Sequence, residues 1–224
     1  LIQIDIDPQE VGKIYPVDVG LVGEARATLK ALTRELGGMT LPDGKGRIAG
    51  TARARSAWEA GLREGQADNG KPIHPARLLS EIAKLAPEDA IYVTDVGWNK
   101  NGAGQQLYVQ RPRSFITSGG MATMGFAPGA AIGAEIGAPE RKVICLVGDG
   151  GLLSAVGAFT TAVELGVPVL WILFNNFCFS TIRTVGMTYF NNSYGTEFTT
   201  PDGKPYNPDF PLLAKAFGIE SDQV

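Results

Sequence analysis

Lys142-Val143-Ile144-Cys145-Leu146-Val147-Gly148-Asp149-Gly150-Gly151 reads as a buried strand running straight into a glycine turn. Helical spacing follows over Leu152–Leu165, and a second apolar strand, Val167–Phe174, ends in Asn175-Asn176. Strand, return helix and parallel strand form a right-handed βαβ unit. A helix of that length spans about 21 Å at about 1.5 Å per residue. That matches a strand of about six or seven residues at roughly 3.3 Å each. Asp149 and Asn176 are therefore expected close together at the carboxyl edge of a parallel sheet, where open α/β sheets bind ligands.

The same alternation extends outward from this unit. A helix opens at Pro72-Ile73-His74-Pro75 with Leu78, Leu79, Ile82 and Leu85 on one face. A strand over Ala90–Thr94 runs into Asp95-Val96-Gly97, and Ser114–Thr117 is a further short strand. Met121–Gly137 reads as a helix rich in Gly and Ala, Phe179–Thr184 as a helix start, and Asp209–Phe217 as a last helix stopped by Gly218. The expected fold is α/β, a parallel sheet with helices on both faces. Upstream, Leu1–Asp7 reads as a strand and Val19–Leu36 as an amphipathic helix, with Leu21, Val22, Ala25, Leu29, Leu32 and Leu36 in phase. Residues 37–70 read as a linker holding one weak helix near Ser56–Leu62. The expected organisation is the tail of one domain (1–36), a linker (37–70) and a second domain (71–224). Both ends read as cuts within a longer polypeptide.

Composition narrows the function classes. Apolar residues are 44% and charged residues 19% of 224, an ordinary globular balance. A net charge of −3 gives no basic footprint for nucleic acid. No apolar run has the length of a membrane span. Two cysteines, Cys145 and Cys178, make neither a disulfide scaffold nor a thiolate metal site, which points to a cytoplasmic setting.

Charge distribution sharpens the reading of the βαβ unit. From Val143 to Ile182 there is no Lys or Arg, and the only charged residues are Asp149 and Glu164. A polyanion here cannot be held by cationic side chains. It can be held by a divalent cation on Asp149, together with N–H groups at the start of the Leu152 helix. A carboxylate, an amide oxygen, a backbone carbonyl and phosphate oxygens suit octahedral Mg²⁺. Glycines at 148, 150 and 151 allow close backbone approach. Gly-Asp-Gly or Asn-Asn alone is more often a plain turn. It is their spacing, 24 residues (Gly151–Phe174) across a strand–helix–strand, that favours a site.

Gly148-Asp149-Gly150 with Asn175-Asn176 at this distance resembles the thiamine diphosphate fingerprint of the 2-oxo-acid decarboxylase and acetolactate synthase superfamily. The resemblance covers nearly the whole chain. It implies that residues 1–36 end a Rossmann-like middle domain and that 71–224 form the diphosphate-binding domain without its last elements. It implies Mg²⁺ ligation by Asp149, Asn176 and the main-chain carbonyl of Cys178, where the family usually has Gly. Gly119-Gly120-Met121-Ala122-Thr123-Met124-Gly125-Phe126 resembles the run in which an apolar side chain, here Met124, holds the cofactor bent. In that run the carbonyl of residue 122 accepts a hydrogen bond from the cofactor's aminopyrimidine; Ala122 stands where Gly is usual. Asp95-Val96-Gly97-Trp98-Asn99 resembles a loop that touches the diphosphate, with Trp98-Asn99 replacing Gln-His and Asn99 keeping a donor.

The cofactor-binding set implied is thus Val96, Gly97, Trp98, Asn99, Met121, Ala122, Met124, Gly148, Asp149, Gly150, Gly151, Asn176, Cys178, Phe179, Ser180 and Thr181. The resemblance further implies a 2-oxo acid substrate, carbon–carbon bond cleavage or formation beside its carbonyl, and a homodimer or homotetramer with the site at the subunit interface. The catalytic Glu is expected in a pyrimidine-binding domain outside these residues, and Glu135 and Glu164 read as surface or cap charges. These residues leave open whether FAD is carried as well. Val185 stands where acetolactate synthases carry an acceptor-pocket Trp, while Arg183 matches. His74, the sole histidine, reads as structural. The alternatives are a nucleotide-binding module without catalysis or an inactive homologue. Against the former, no G-x-G-x-x-G opens a helix and no G-K-[ST] loop is present.

Overall fold

The computed structural model describes residues Leu1–Val224 and divides them into two compact units, Leu1–Glu59 and Ala60–Val224. In the first, β1 (Ile2–Asp5) pairs in parallel with β2 (Val19–Val22), Ile2 opposite Val19. Helix α1 (Ala25–Gly37) follows, so Val19–Leu36 is not one helix. Leu21 and Val22 belong to the ladder, and the helix starts only where Glu24 turns back to cap it. The Glu24 carboxylate accepts from the amides of Arg26 (3.0 Å) and Ala27 (2.8 Å). Helix α2 (Lys45–Ala67) corrects the expectation of a weak helix near Ser56–Leu62. Its run of Ala, Arg and Glu outweighs its four glycines in summed helix propensity, although it buries no residue.

The second unit takes in the end of α2 from Ala60 and continues with α3 (Pro75–Leu85), whose N-cap is His74; the imidazole Nδ1 accepts from Ala76 N–H at 3.2 Å. That bond supports the structural reading of the histidine. Then come β3 (Ile91–Thr94), α4 (Trp98–Gln106), β4 (Phe115–Thr117), α5 (Phe126–Gly137), β5 (Val143–Gly148), α6 (Asp149–Ser154), α7 (Ala158–Leu165), β6 (Leu170–Phe174), α8 (Ser180–Phe190) and α9 (Phe210–Ala216). The four strands form one parallel sheet in the order β4-β3-β5-β6. Side chains alternate across it. Ile91, Val93, Val143, Cys145 and Val147 pack with Ala127, Ala131, Phe159 and Ala214 of α5, α7 and α9. Tyr92, Ile144 and Leu146 pack with Leu79, Ile82 and Ala103 of α3 and α4. Both faces are covered, as the near-continuous apolar strands require.

This topology positions the site. The chain leaves β3 toward β4 and leaves β5 toward β6, so connections diverge between β3 and β5. A crevice opens at such a switch point, at the carboxyl ends of the strands. Asp95 and Asp149 sit at those two ends.

Two helices differ from expectation. Met121–Gly137 begins only at Phe126, because Gly120 (φ 58°), Ala122 (φ 49°) and Gly125 (φ 83°) are left-handed and cannot continue a right-handed helix. Leu152–Leu165 is two helices, α6 starting at Asp149 and α7 at Ala158. The Ser154 hydroxyl donates back to the Gly151 carbonyl at 2.8 Å, and Gly157 supplies weak helix propensity at the break.

Candidate functional site

Asp149 is 2% exposed and begins α6 at the tip of β5. Gly148 pairs with Phe174 across β5 and β6, so Asp149 and Asn175 are the first residues beyond the ladder on neighbouring strands. The carboxylate joins the two tips. Its Oδ2 accepts from the amides of Asn176 (3.2 Å) and Phe177 (2.7 Å) and from Asn207 Nδ2 (2.9 Å). Its Oδ1 accepts only from the Gly150 amide at 2.8 Å. A carboxylate offers about four lone-pair positions, two on each oxygen. Oδ2 is thus fully engaged, whereas Oδ1 keeps acceptor capacity.

Asn176 and Cys178 stand beside it. Asn176 Oδ1 accepts from the Cys178 amide at 3.2 Å. Cys178 bridges Glu197 in antiparallel fashion, but the hydrogen bonds run from the Phe179 amide to Thr196 O (2.8 Å) and from the Phe198 amide to Phe177 O (2.8 Å). Cys178 is therefore the non-hydrogen-bonded member of its pair, so its own N–H and C=O face away from the Glu197 segment. The carbonyl takes no hydrogen bond from the protein and opens on the side where its N–H meets Asn176. The left-handed backbone falls at Phe177 (φ 58°) and not at Cys178, so a side chain at 178 meets no backbone strain. Burial pushes the Cys178 thiol up, Asp149 pushes it further, and Arg183 partly offsets this.

A carboxylate, an amide oxygen and a main-chain carbonyl are the donor types a hard divalent cation takes. Nowhere do three His, Cys, Asp or Glu side chains converge. A cation here would bind through one carboxylate, one amide oxygen and one main-chain oxygen, with its other positions free for phosphate oxygens.

A second carboxylate, which the sequence did not single out, organises the opposite wall. Asp95 is fully buried at the tip of β3. Its Oδ1 accepts from the amides of Val96 (2.8 Å) and Gly125 (3.0 Å), and its Oδ2 from the Ala127 amide (2.9 Å). It caps α5 from another strand and fixes the end of the 119–125 strap. Within that strap, Ala122 N–H reaches Gly119 O (3.1 Å) and Thr123 N–H reaches Ser118 Oγ (3.0 Å). The strap leaves Met124 40% and Met121 92% exposed, outside the helix core.

Several expected contacts are corrected. Asn99 does not present a donor to a ligand. It is 4% exposed, and both amide hydrogens go to main-chain carbonyls, Asp95 O (3.1 Å) and Leu146 O (2.8 Å). Trp98 and Asn99 open a helix, and the Trp98 ring lies over Gly102 with its centroid 6.5 Å from Phe174. Gly97 (φ 120°) does lie near Thr181, whose Oγ1 would be 3.9 Å from an added Cβ. Packing already constrains Gly150 and Gly151. A Cβ at Gly150 would meet Phe179 at 2.6 Å, and one at Gly151 would meet the Asp95 carboxylate at 3.0 Å. Gly148 alone of the three has open space. The Gly150 amide turns back onto Asp149 instead of standing free at the helix start. Glu135 is not a surface charge: it is 4% exposed in α5, with Oε2 unpartnered. Glu164 is exposed.

Asn207 was also missed. It lies 58 residues beyond Asp149 in an Asn-Pro-Asp turn, with no local signature pointing back. Asp95 had such a signature, being an acidic residue after an apolar strand with a glycine close behind, as at Asp149. Val96 and Ser180 are half-buried at the starts of the β3 turn and of α8.

A parallel sheet with a carboxylate and an Asn pair at adjoining tips, and a glycine strap across the crevice, defines a diphosphate-binding fold. Residues 95–224 match the family described as thiamine pyrophosphate enzyme, C-terminal TPP binding domain, and the chain belongs to that family. Its relatives include a probable acetolactate synthase large subunit of Methanococcus aeolicus, 32% identical over 237 residues, and the acetolactate synthase isozyme 2 large subunit of Escherichia coli, 32% over 224. Each alignment covers 100% of this chain and 38% of the relative. A probable 2-ketoarginine decarboxylase of Pseudomonas aeruginosa is 35% identical over 219 residues, 97% of this chain and 37% of that protein. The chain thus spans under two-fifths of the length of these relatives. It falls within the acetolactate synthase-like superfamily of thiamine diphosphate-dependent enzymes, with the α/β fold that the sequence led us to expect. No helix is long and apolar enough to cross a membrane.

Proposed function

We propose that this chain supplies the diphosphate and metal half of a thiamine diphosphate site, in a protein that cleaves or forms a carbon–carbon bond beside the carbonyl of a 2-oxo acid. The observation that supports the reading is that Asp149 accepts from the Asn176 and Phe177 amides, and Asn176 Oδ1 from the Cys178 amide, at the β5 and β6 tips, in the stretch from Val143 to Ile182 without Lys or Arg. Mg²⁺ would be held by Asp149, Asn176 and the Cys178 carbonyl and would supply the positive charge a diphosphate needs, since the nearby guanidinium of Arg183 is committed to Glu197. The bound cofactor supplies a nucleophilic carbon and an electron sink.

The chain's own residues bind and shape. Asp95 fixes the end of the strap that carries the half-exposed Met124, and Met124 would be the apolar side chain that keeps a bound cofactor bent. The Ala122 carbonyl would accept a hydrogen bond from the aminopyrimidine and so orient the cofactor's own base. Gly97, Phe179 and the start of α8 would line the diphosphate end. Relatives named as synthases and as a decarboxylase share these residues' fold, which supports decarboxylation with either protonation or transfer to an acceptor. A second subunit completes the site in this reading.

Calorimetric titration with thiamine diphosphate tests the proposal. Binding is expected with Mg²⁺ and should be lost on adding a chelator. NAD or ATP should give no heat. Cofactor affinity independent of Mg²⁺, or a preference for a nucleotide, would overturn it.

A further inference from the structure

We infer that Asn207 is a positioning residue of the cation site, an inference that rests on the metal reading above. Its side-chain amide has two hydrogens and uses both: one reaches Asp149 Oδ2 (2.9 Å), the other Asn175 Oδ1 (2.7 Å). It is a fork that clamps the β5 tip to the β6 tip.

Three features make the fork more than a loop contact. First, it sets the carboxylate's orientation. With the amides of Asn176 and Phe177, it completes the donors on Oδ2 and leaves the free position on Oδ1. Second, Asn207 is held from both sides. Tyr206 N–H bonds to Phe198 O (2.9 Å), and Phe198 N–H bonds to Phe177 O (2.8 Å), so its approach is set by the segment that carries Cys178. On its other side Asp209 caps α9 through Leu212 N–H (2.9 Å). Third, the donor is neutral. An ammonium or guanidinium here would compete with a divalent cation for Asp149. The nearby guanidinium of Arg183 is instead bound to Glu197 at 2.7 Å. An amide holds the carboxylate without cancelling its charge. Partners that orient a ligating carboxylate this way typically contribute about 10- to 100-fold to metal affinity.

The test is Mn²⁺ binding by the purified protein with saturating thiamine diphosphate, read from the electron paramagnetic resonance signal of free Mn²⁺. Asn207→Ala should raise the Mn²⁺ Kd about 10- to 100-fold. Thr200→Ala, which removes the turn bond to Lys204 O (3.2 Å) in the same loop but leaves the fork intact, should leave it unchanged. Asn207→Ser, which cannot bridge both acceptors, should also weaken binding and serves if the alanine variant does not fold. Wild-type Mn²⁺ affinity in both Asn207 variants, with Asp149→Asn abolishing binding, overturns the role of Asn207 and leaves the metal reading standing. Equal weakening in Thr200→Ala reduces Asn207 to loop order and also overturns it. Wild type and Asp149→Asn alike without Mn²⁺ binding overturn the metal reading and this inference together.

Discussion

Asp95 and Asp149 are the same residue type at the same edge of the same sheet, on adjacent strands, and both are buried. They differ in where their donors come from. Asp95 is closed off by the amides of Val96, Gly125 and Ala127, two of them about thirty residues away at the start of α5. Asp149 is held by its own helix start, by the next strand tip and by Asn207, and keeps one oxygen only half engaged. Each keeps one oxygen with a single donor, Asp95 Oδ2 and Asp149 Oδ1. What differs is what the donors tie together: Asp95 fastens the strap and the start of α5, whereas Asp149 fastens two neighbouring strand tips in a stretch without Lys or Arg. The lesson is that the segments a buried carboxylate joins, rather than its burial or its leftover acceptor capacity, separate the two roles.

The comparison can be broken most strongly at Asp95. Asp95→Ala strands the buried amides of Gly125 and Ala127 and should lower stability by about 3–5 kcal/mol, at about 1–3 kcal/mol per unsatisfied buried group. Urea unfolding checks this, and Asp95→Asn should lose roughly half as much, since it keeps one acceptor oxygen. Asp149→Asn should differ in what else it loses. Without metal it should lower stability by about 1–3 kcal/mol, since its amide nitrogen can no longer accept from Gly150 N–H. Calorimetry should show its Mg²⁺-dependent affinity for thiamine diphosphate falling about 100-fold or more, equivalent to about 2.7 kcal/mol. A large stability loss there with cofactor affinity intact would erase the distinction.

Smaller effects sharpen the link from Asp95 to chemistry through the strap. Met124→Ala should slow hydrogen–deuterium exchange at the reactive carbon of bound thiamine diphosphate by roughly tenfold, with a smaller effect on binding. Unchanged exchange would remove Met124 from the account. Smallest is Ala122→Gly. Ala122 holds φ 49°, a region that favours glycine. The change should raise stability by about 1 kcal/mol in thermal or urea unfolding.

The parallel sheet, the βαβ unit and the convergence of Asp149 with Asn176 were legible because strand and helix lengths fix which ends meet. The run Val143–Val147 is apolar throughout, which only a strand buried on both faces tolerates. The strap was read as helix because the Gly- and Ala-rich run from Met121 continues into α5 without a break in composition, while the backbone at Gly120, Ala122 and Gly125 is left-handed. Leu21 and Val22 were misassigned because a four-residue strand carries too little alternation to resist an amphipathic run beside it. Asn99 looked like a ligand donor because sequence gives its chemistry and not its partners, the Asp95 and Leu146 carbonyls. Asn207 was illegible for the same reason at longer range, since nothing near it in sequence announces a contact 58 residues back.

The account depends most on a cation seated between the β5 and β6 tips. Crystals grown with thiamine diphosphate and Mn²⁺, measured at the manganese absorption edge, locate that cation directly. A single anomalous peak about 2.1–2.2 Å from Asp149 Oδ1, Asn176 Oδ1 and the Cys178 carbonyl is the expected result, a slightly longer approach than the ~2.1 Å typical of Mg²⁺. A peak elsewhere, or a bound diphosphate with no metal touching Asp149, would contradict it.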